Sequence, residues 1–114
     1  MPDDCLFCRI AAGEIPATKV HEDADVIAIR DLHPQAPTHV LVLPVAHIAS
    51  AADLAEADGP LLGRLLAVAA RIARDEGLDG GWRLVTNVGR DGGQSVDHLH
   101  LHVLGGRPMT WPPG

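Results

Sequence analysis

Apolar and polar positions alternate along this chain in short runs, and the period of each run predicts the element it forms. Cys5-Leu-Phe-Cys-Arg-Ile-Ala-Ala12 carries apolar residues at helical spacing and stops at Gly13, which predicts a short helix. Lys19–Glu22 and Val26–Asp31 have strand-like content on either side of the acidic turn Glu22-Asp-Ala-Asp25, a predicted hairpin. Leu32–Thr38 holds two prolines and reads as a loop. His39–Leu43 then runs continuously apolar to Pro44, the pattern of a central strand covered on both faces. From Pro60 to Glu76 a long amphipathic helix is predicted. Leu61, Leu65, Val68 and Ile72 follow a 4, 3, 4 spacing, and Leu62, Leu66 and Ala69 widen the stripe. Asp58 is its expected cap, Pro60 suits the first turn and Gly77 the end. Trp82–Asn87 predicts another short strand, followed by the turn Gly89-Arg-Asp-Gly-Gly93. His98–Leu104 is the last predicted strand, ending at Gly105-Gly106. These elements imply an α+β fold with a mainly antiparallel five-stranded sheet, one long helix and one short helix.

At 114 residues the chain fits one domain, residues 1–114, without repeats or a linker. A domain of this size buries about two thirds of its unfolded surface, so it needs no disulfide staples. Nine basic against 15 acidic residues give a net charge of −6, which argues against general attraction to nucleic acid or an anionic membrane. No apolar stretch reaches the ~18 residues of a spanning helix, and Met-Pro-Asp-Asp lacks the basic start of a signal peptide, so a cytoplasmic protein is expected. Cys5 and Cys8 are the only cysteines. Spaced C-x-x-C, they fit a zinc half-site, a redox pair or two buried thiols. Tyr is absent, whereas seven His occur and three of them fall within five positions. The chemistry is expected there.

In Asp97-His-Leu-His-Leu-His-Val-Leu104 the period is two, so on a strand His98, His100 and His102 share one face while Leu99, Leu101 and Val103 share the other. Three imidazoles in register are not ordinary packing, because each brings two ring nitrogens that need partners when buried. One shared metal fits poorly: at ~3.3 Å per residue His98 and His102 start about 13 Å apart, while zinc requires nitrogens at about 2.0–2.1 Å. Division of labour is favoured, with one His as nucleophile or ligand and its neighbours orienting it. The preceding turn, with Asn87, Gln94 and Ser95 among glycines, suits a phosphate cradle.

His98-Leu-His-Leu-His-Val-Leu104 resembles the His-φ-His-φ-His-φ-φ signature (φ apolar) of the histidine triad superfamily. Asp91-Gly-Gly-Gln-Ser95 before it, Gly105–Gly114 after it, Gly13-Glu-Ile-Pro16 and Pro34-Gln-Ala-Pro-Thr-His39 resemble its Hint branch. The resemblance covers nearly the whole chain. It implies hydrolysis of purine nucleoside 5′-phosphoramidates and acyl-adenylates through a nucleotidyl-histidine, with AMP or GMP conjugates as substrates. By the same resemblance His100 is the nucleophile, flanked by His98 and His102. His102, Gln94, Ser95 and Asn87 hold the phosphate, Ser95 lies near the departing amine, and His39 joins the proton network. Asp31 is assigned to the ribose, and Phe7, Ile10, Ile29 and Leu32 to the base slot. Ile29 stands where relatives often carry an aromatic, and so does Asp97. The family further implies a homodimer, with the C-terminal tail and Trp111 reaching the partner's site.

Some bacterial members of the superfamily hold zinc through such a Cys pair, a His in a Pro-x-x-His element and the first His of the triad. Here these are Cys5, Cys8, His47 and His98. A closed Cys₂His₂ set makes the ion structural, so no catalytic metal is expected. His21 and His33 are read as surface or loop residues and Arg90 as a charged turn tip. Two other function classes remain open: a metal-dependent hydrolase using the His cluster, and a nucleotide-binding or scaffold protein without catalysis.

Overall fold

The computed structural model describes residues 4–114; Met1-Pro-Asp3, part of the start read above, lies outside them. The periodic runs become α1 (Leu6–Ala11), β1 (Lys19–Glu22), β2 (Val26–Arg30), β3 (Thr38–Pro44), α2 (Gly59–Asp75), β4 (Trp82–Val85) and β5 (Leu101–Gly105). The strands form one antiparallel sheet in the order β1-β2-β3-β5-β4. Two short 3-10 turns, Ala51–Asp53 and Glu56–Asp58, lead into α2.

Strand alternation sorts the core into two layers. Val26, Ala28, Val40, Val42, Leu101 and Val103 face α2 and pack on Leu65, Val68, Ala69 and Ile72. Ile27, Ile29, Leu41 and Leu43 face the other way, onto Phe7, Cys8 and Ile10 of α1. Every residue of β3 is buried, which is why its sequence reads as an unbroken apolar run. Within the stripe of α2, Leu66 is half exposed and lies outside this core.

Two expectations are corrected. Asp58 does not cap α2 through its side chain; its carboxylate accepts the Ala55 N–H at 2.9 Å within the preceding 3-10 turn. Gly77, at φ 72°, ends the helix in the left-handed conformation that favours glycine. The last strand begins at Leu101, so His98 and His100 precede the ladder in an irregular segment. That segment is held by the Leu99 N–H on the Ile48 carbonyl at 2.6 Å and the Thr86 hydroxyl on the His100 carbonyl at 2.8 Å. Leu99 still enters the α2 layer, and its neighbours 98 and 100 point to the α1 layer.

His21 is not a free surface residue. Its Nε2 lies 2.6 Å from the Asp23 carboxylate, and Arg71 and Arg64 of α2 reach His21 and Asp23, tying the β1–β2 hairpin to the long helix. The N–H of Asp25, donating to the carboxylate at 2.8 Å, and the His21 contact hold the Asp23 carboxyl well below the usual carboxylate range.

Candidate active site

The protons of four histidines follow from their partners. His100 Nδ1 lies 2.7 Å from the His98 carbonyl, which only accepts, so Nδ1 carries the hydrogen and Nε2 keeps its lone pair. His100 is almost fully buried, edge-on to Phe7 with ring centroids 5.1 Å apart. Its lone pair belongs to an imidazole whose orientation is fixed by the backbone of the residue two positions back.

His39 works in the opposite sense. The Gln35 N–H donates to His39 Nδ1 at 3.0 Å, which forces the proton of the neutral ring onto Nε2. That Nε2–H donates to His102 Nδ1 at 2.9 Å, with the Asp31 carboxylate 3.5 Å away. His102 therefore carries its own hydrogen on Nε2. Burial lowers both pKa values, and burial with the neighbouring rings takes that of His102 to about 4. The relay is neutral near pH 7 and runs Gln35 amide, His39, His102.

A cleft of about 260 Å³ opens over these rings. Of the residues singled out in the sequence, Phe7, Ile10, Ile29, Leu32, Asp31, Ser95, His100 and His102 line it. His39 stands behind His102, 6% exposed. Asn87 and Gln94 do not line it. The Asn87 amide donates to the Gly92 carbonyl at 2.7 Å. The Gln94 amide donates to the Ala49 and Val96 carbonyls at 2.7 and 3.0 Å while its oxygen accepts the Gly89 N–H at 2.9 Å. Both side chains fasten the turn that presents Ser95. The walls also include residues that no spacing singled out, among them Ile15, Leu41 and Val96. His33, read above as a loop residue, belongs to the rim, and the Asp31 carboxylate accepts its N–H at 2.7 Å. Only the turn at Asp31 brings His33 there, so no periodicity could have marked it.

Beside the cleft Cys5, Cys8, His47 and His98 converge, with candidate ligand atoms within 4.8 Å of one another. His98 is fully buried, and its Nε2 lies 2.8 Å from the Pro44 carbonyl, so Nε2 carries the hydrogen and Nδ1 offers a lone pair. That Nδ1 is 3.4 Å from Cys5 Sγ and 3.5 Å from Cys8 Sγ, and His47 Nδ1 is 3.3 Å from Cys8 Sγ. Zn–S and Zn–N bonds of ~2.3 and ~2.05 Å at a tetrahedral angle give an S···N edge of about 3.6 Å, so the donor set fits zinc in both identity and spacing. Burial, then the adjacent Cys5, push the Cys8 thiol up to about 11. Asp31, His39 and His102 also cluster within that distance. There the tautomers oppose a metal: His39 accepts at Nδ1, so ligation at Nε2 would require an imidazolate. Asp97 lines a separate groove with Asp4, His47 and Ser95.

Comparison with known proteins agrees with this geometry. A family model described as "Scavenger mRNA decapping enzyme C-term binding" matches residues 4–111. The solved structure of a HIT family hydrolase from Legionella pneumophila superposes with a TM-score of 0.96 at 56% identity, covering 97% of this chain and all of that one. An uncharacterized HIT-like protein of Synechococcus elongatus is 48% identical over the full length of both chains. A 14 kDa zinc-binding protein of Zea mays is 49% identical over 111 residues, 96% of this chain and 87% of that protein. The fold and the His-x-His-x-His segment define a histidine triad protein. The chain belongs to the histidine triad family.

Proposed function

We propose that the protein hydrolyses purine nucleoside 5′-phosphoramidates and acyl-adenylates in the manner of the Hint branch. The observation that carries this reading is the His100 Nδ1–H bond to the His98 carbonyl, which leaves a lone pair on Nε2 of a ring lining the cleft. Nε2 attacks the α-phosphorus and forms a P–N bond as the bond to the leaving amine breaks. The amine takes one proton from the Ser95 hydroxyl, while His102 keeps its Nε2–H. Water then attacks phosphorus, the bond to His100 breaks, the nucleoside monophosphate leaves and the water's proton restores the donor. Splitting one displacement into two is the gain from a covalent nucleophile. A neutral His102 serves this chemistry as a hydrogen-bond donor to the phosphoryl oxygens. Asp31 accepts the ribose hydroxyls, and Phe7, Ile10, Ile29 and Leu32 enclose the base.

Cys5, Cys8, His47 and His98 hold a structural zinc in this reading. When bound, the ion supplies four bonds that fasten the α1 end to the segment before β5. The thiols it needs persist in a reducing compartment, which accords with a cytoplasmic protein; among the described residues no helix is long and apolar enough to cross a membrane. The reading includes a homodimer. β4 is a sheet edge with Trp82 and Leu84 partly exposed, and Trp111 is 84% exposed on its own chain. An indole left in water is costly, and a partner subunit supplies cover.

The test is release of AMP from an adenosine 5′-phosphoramidate by the wild type and by His100→Ala. More than about a hundredth of the wild-type rate in the variant would remove His100 as nucleophile, since acid–base help alone is worth ~10²–10⁴. Binding of AMP without turnover by the wild type would favour the non-catalytic alternative.

A further inference from the structure

Residue 98 faces two sites at once. Its ring offers Nδ1 to Cys5 and Cys8, and its carbonyl accepts the Nδ1–H of His100 at 2.7 Å. The stretch between the Ser95 turn and Leu101 has no strand ladder to hold it. Its hydrogen-bond anchors are the Gln94 amide on the Val96 carbonyl, the Leu99 N–H on the Ile48 carbonyl, the Thr86 hydroxyl on the His100 carbonyl, and the ring of His98 on the Pro44 carbonyl and the two thiols. A neutral thiol is a weak donor, and the Cys8 sulfur is shared between His47 and His98.

The geometry points to His98 as a positioning residue: with its ring ligated in the Cys5–Cys8–His47 set, the peptide that orients the nucleophile is fixed, so occupancy of the metal set governs the competence of His100. This coupling rests on the phosphoramidase reading above. Without ligation, the ring keeps one hydrogen bond to Pro44 and weak thiol contacts, and the peptide bearing its carbonyl keeps the Leu99 N–H on Ile48, so the carbonyl is freer to turn about that one bond. The Nδ1–H of His100 then loses a fixed acceptor, and Nε2 its aim. The path meets the base slot only at Phe7, edge-on to His98 with ring centroids 5.9 Å apart, so nucleotide affinity falls less than the chemical step slows. Misplacing a reacting group by about 1 Å can cost ~10²-fold, which sets the scale.

The experiment compares zinc-loaded protein, chelator-stripped protein and His47→Asn, a change at the least buried member of the set. Zinc content, AMP affinity, KM and kcat for an AMP phosphoramidate are measured, together with the slowly exchanging Nδ1–H proton signal of His100, assigned by its absence in His100→Ala. Stripping is expected to abolish or broaden that signal and to lower kcat by about tenfold or more, with a smaller change in KM and AMP affinity; added zinc restores the signal and kcat. His47→Asn is expected to show the same losses at limiting zinc and to recover at high zinc. A stripped protein with native circular dichroism that keeps the signal and kcat would overturn the coupling, as would AMP affinity falling in step with kcat. Full turnover by His100→Ala would instead overturn the underlying reaction, while the proton signal of the other samples would still report on the coupling.

Discussion

Lowering the pH should unfold this protein through its buried imidazoles before its carboxylates are titrated. His102 lies between His39 and His100, and burial first, then those two rings, lower its pKa from 6.5 to about 4. In the unfolded chain the same group titrates near ~6.5. The folded value lies below the unfolded one, so between those values the unfolded state binds more protons and stability falls as pH falls. The difference, 6.5 − 4, at about 1.36 kcal/mol per unit, is on the order of 3 kcal/mol. His39, lowered by burial, acts in the same direction. Against a total of roughly 5–15 kcal/mol this is a large share. Asp23 and Glu76, lowered by their partners, lose their contribution only as pH falls below about 4–5, so the two windows separate. Urea midpoints taken with zinc present at several pH values between neutrality and the carboxylate range should decline steadily for the wild type. The decline should be shallower for His102→Asn, which cannot take up the proton. Equal slopes for the two proteins would refute the assignment, whatever the metal ligands contribute, because those are common to both.

Asp31→Ala should weaken AMP binding more than it lowers the rate of the bound complex, and unchanged affinity would remove Asp31 from the ribose site. Gly92→Ala should destabilise by about 1–3 kcal/mol and slow turnover, because the added methyl enters the Val88 carbonyl and displaces the turn carrying Ser95; a thermal melt and a rate equal to wild type would contradict this. Deleting residues 107–114, where Arg83 reaches the Thr110 carbonyl at 2.7 Å, should change the relative rates among amine leaving groups and spare AMP affinity. Identical relative rates would deny the tail a role in choosing substrate.

The layers of the fold were legible because burial writes a period into sequence. The unbroken run of β3 reports two covered faces, and the alternation of Leu99, Leu101 and Val103 reports one. The start of β5 was not legible, since alternation persists through His98–His100 where the ladder does not, and ladder bonds leave no mark on side-chain pattern. Asp58 illustrates a second limit: a capping residue type says nothing about which of two competing N–H groups its carboxylate will take. The histidine cluster was visible from spacing, but the direction of each proton was not. It depends on the Gln35 amide and the His98 and Pro44 carbonyls, backbone groups that every sequence has and only a fold aims. For the same reason Asn87 and Gln94 look in sequence like phosphate ligands and in the structure fasten the turn beside the cleft.

The most direct test of the catalytic reading is to capture the intermediate. Protein mixed with an adenosine 5′-phosphoramidate, quenched in alkaline denaturant within a turnover and digested, should yield one peptide carrying an added AMP group. Fragmentation should place that group on His100, and His100→Ala should show no adduct and no turnover. An adduct on His98 or His102, or steady hydrolysis in His100→Ala, would contradict the account.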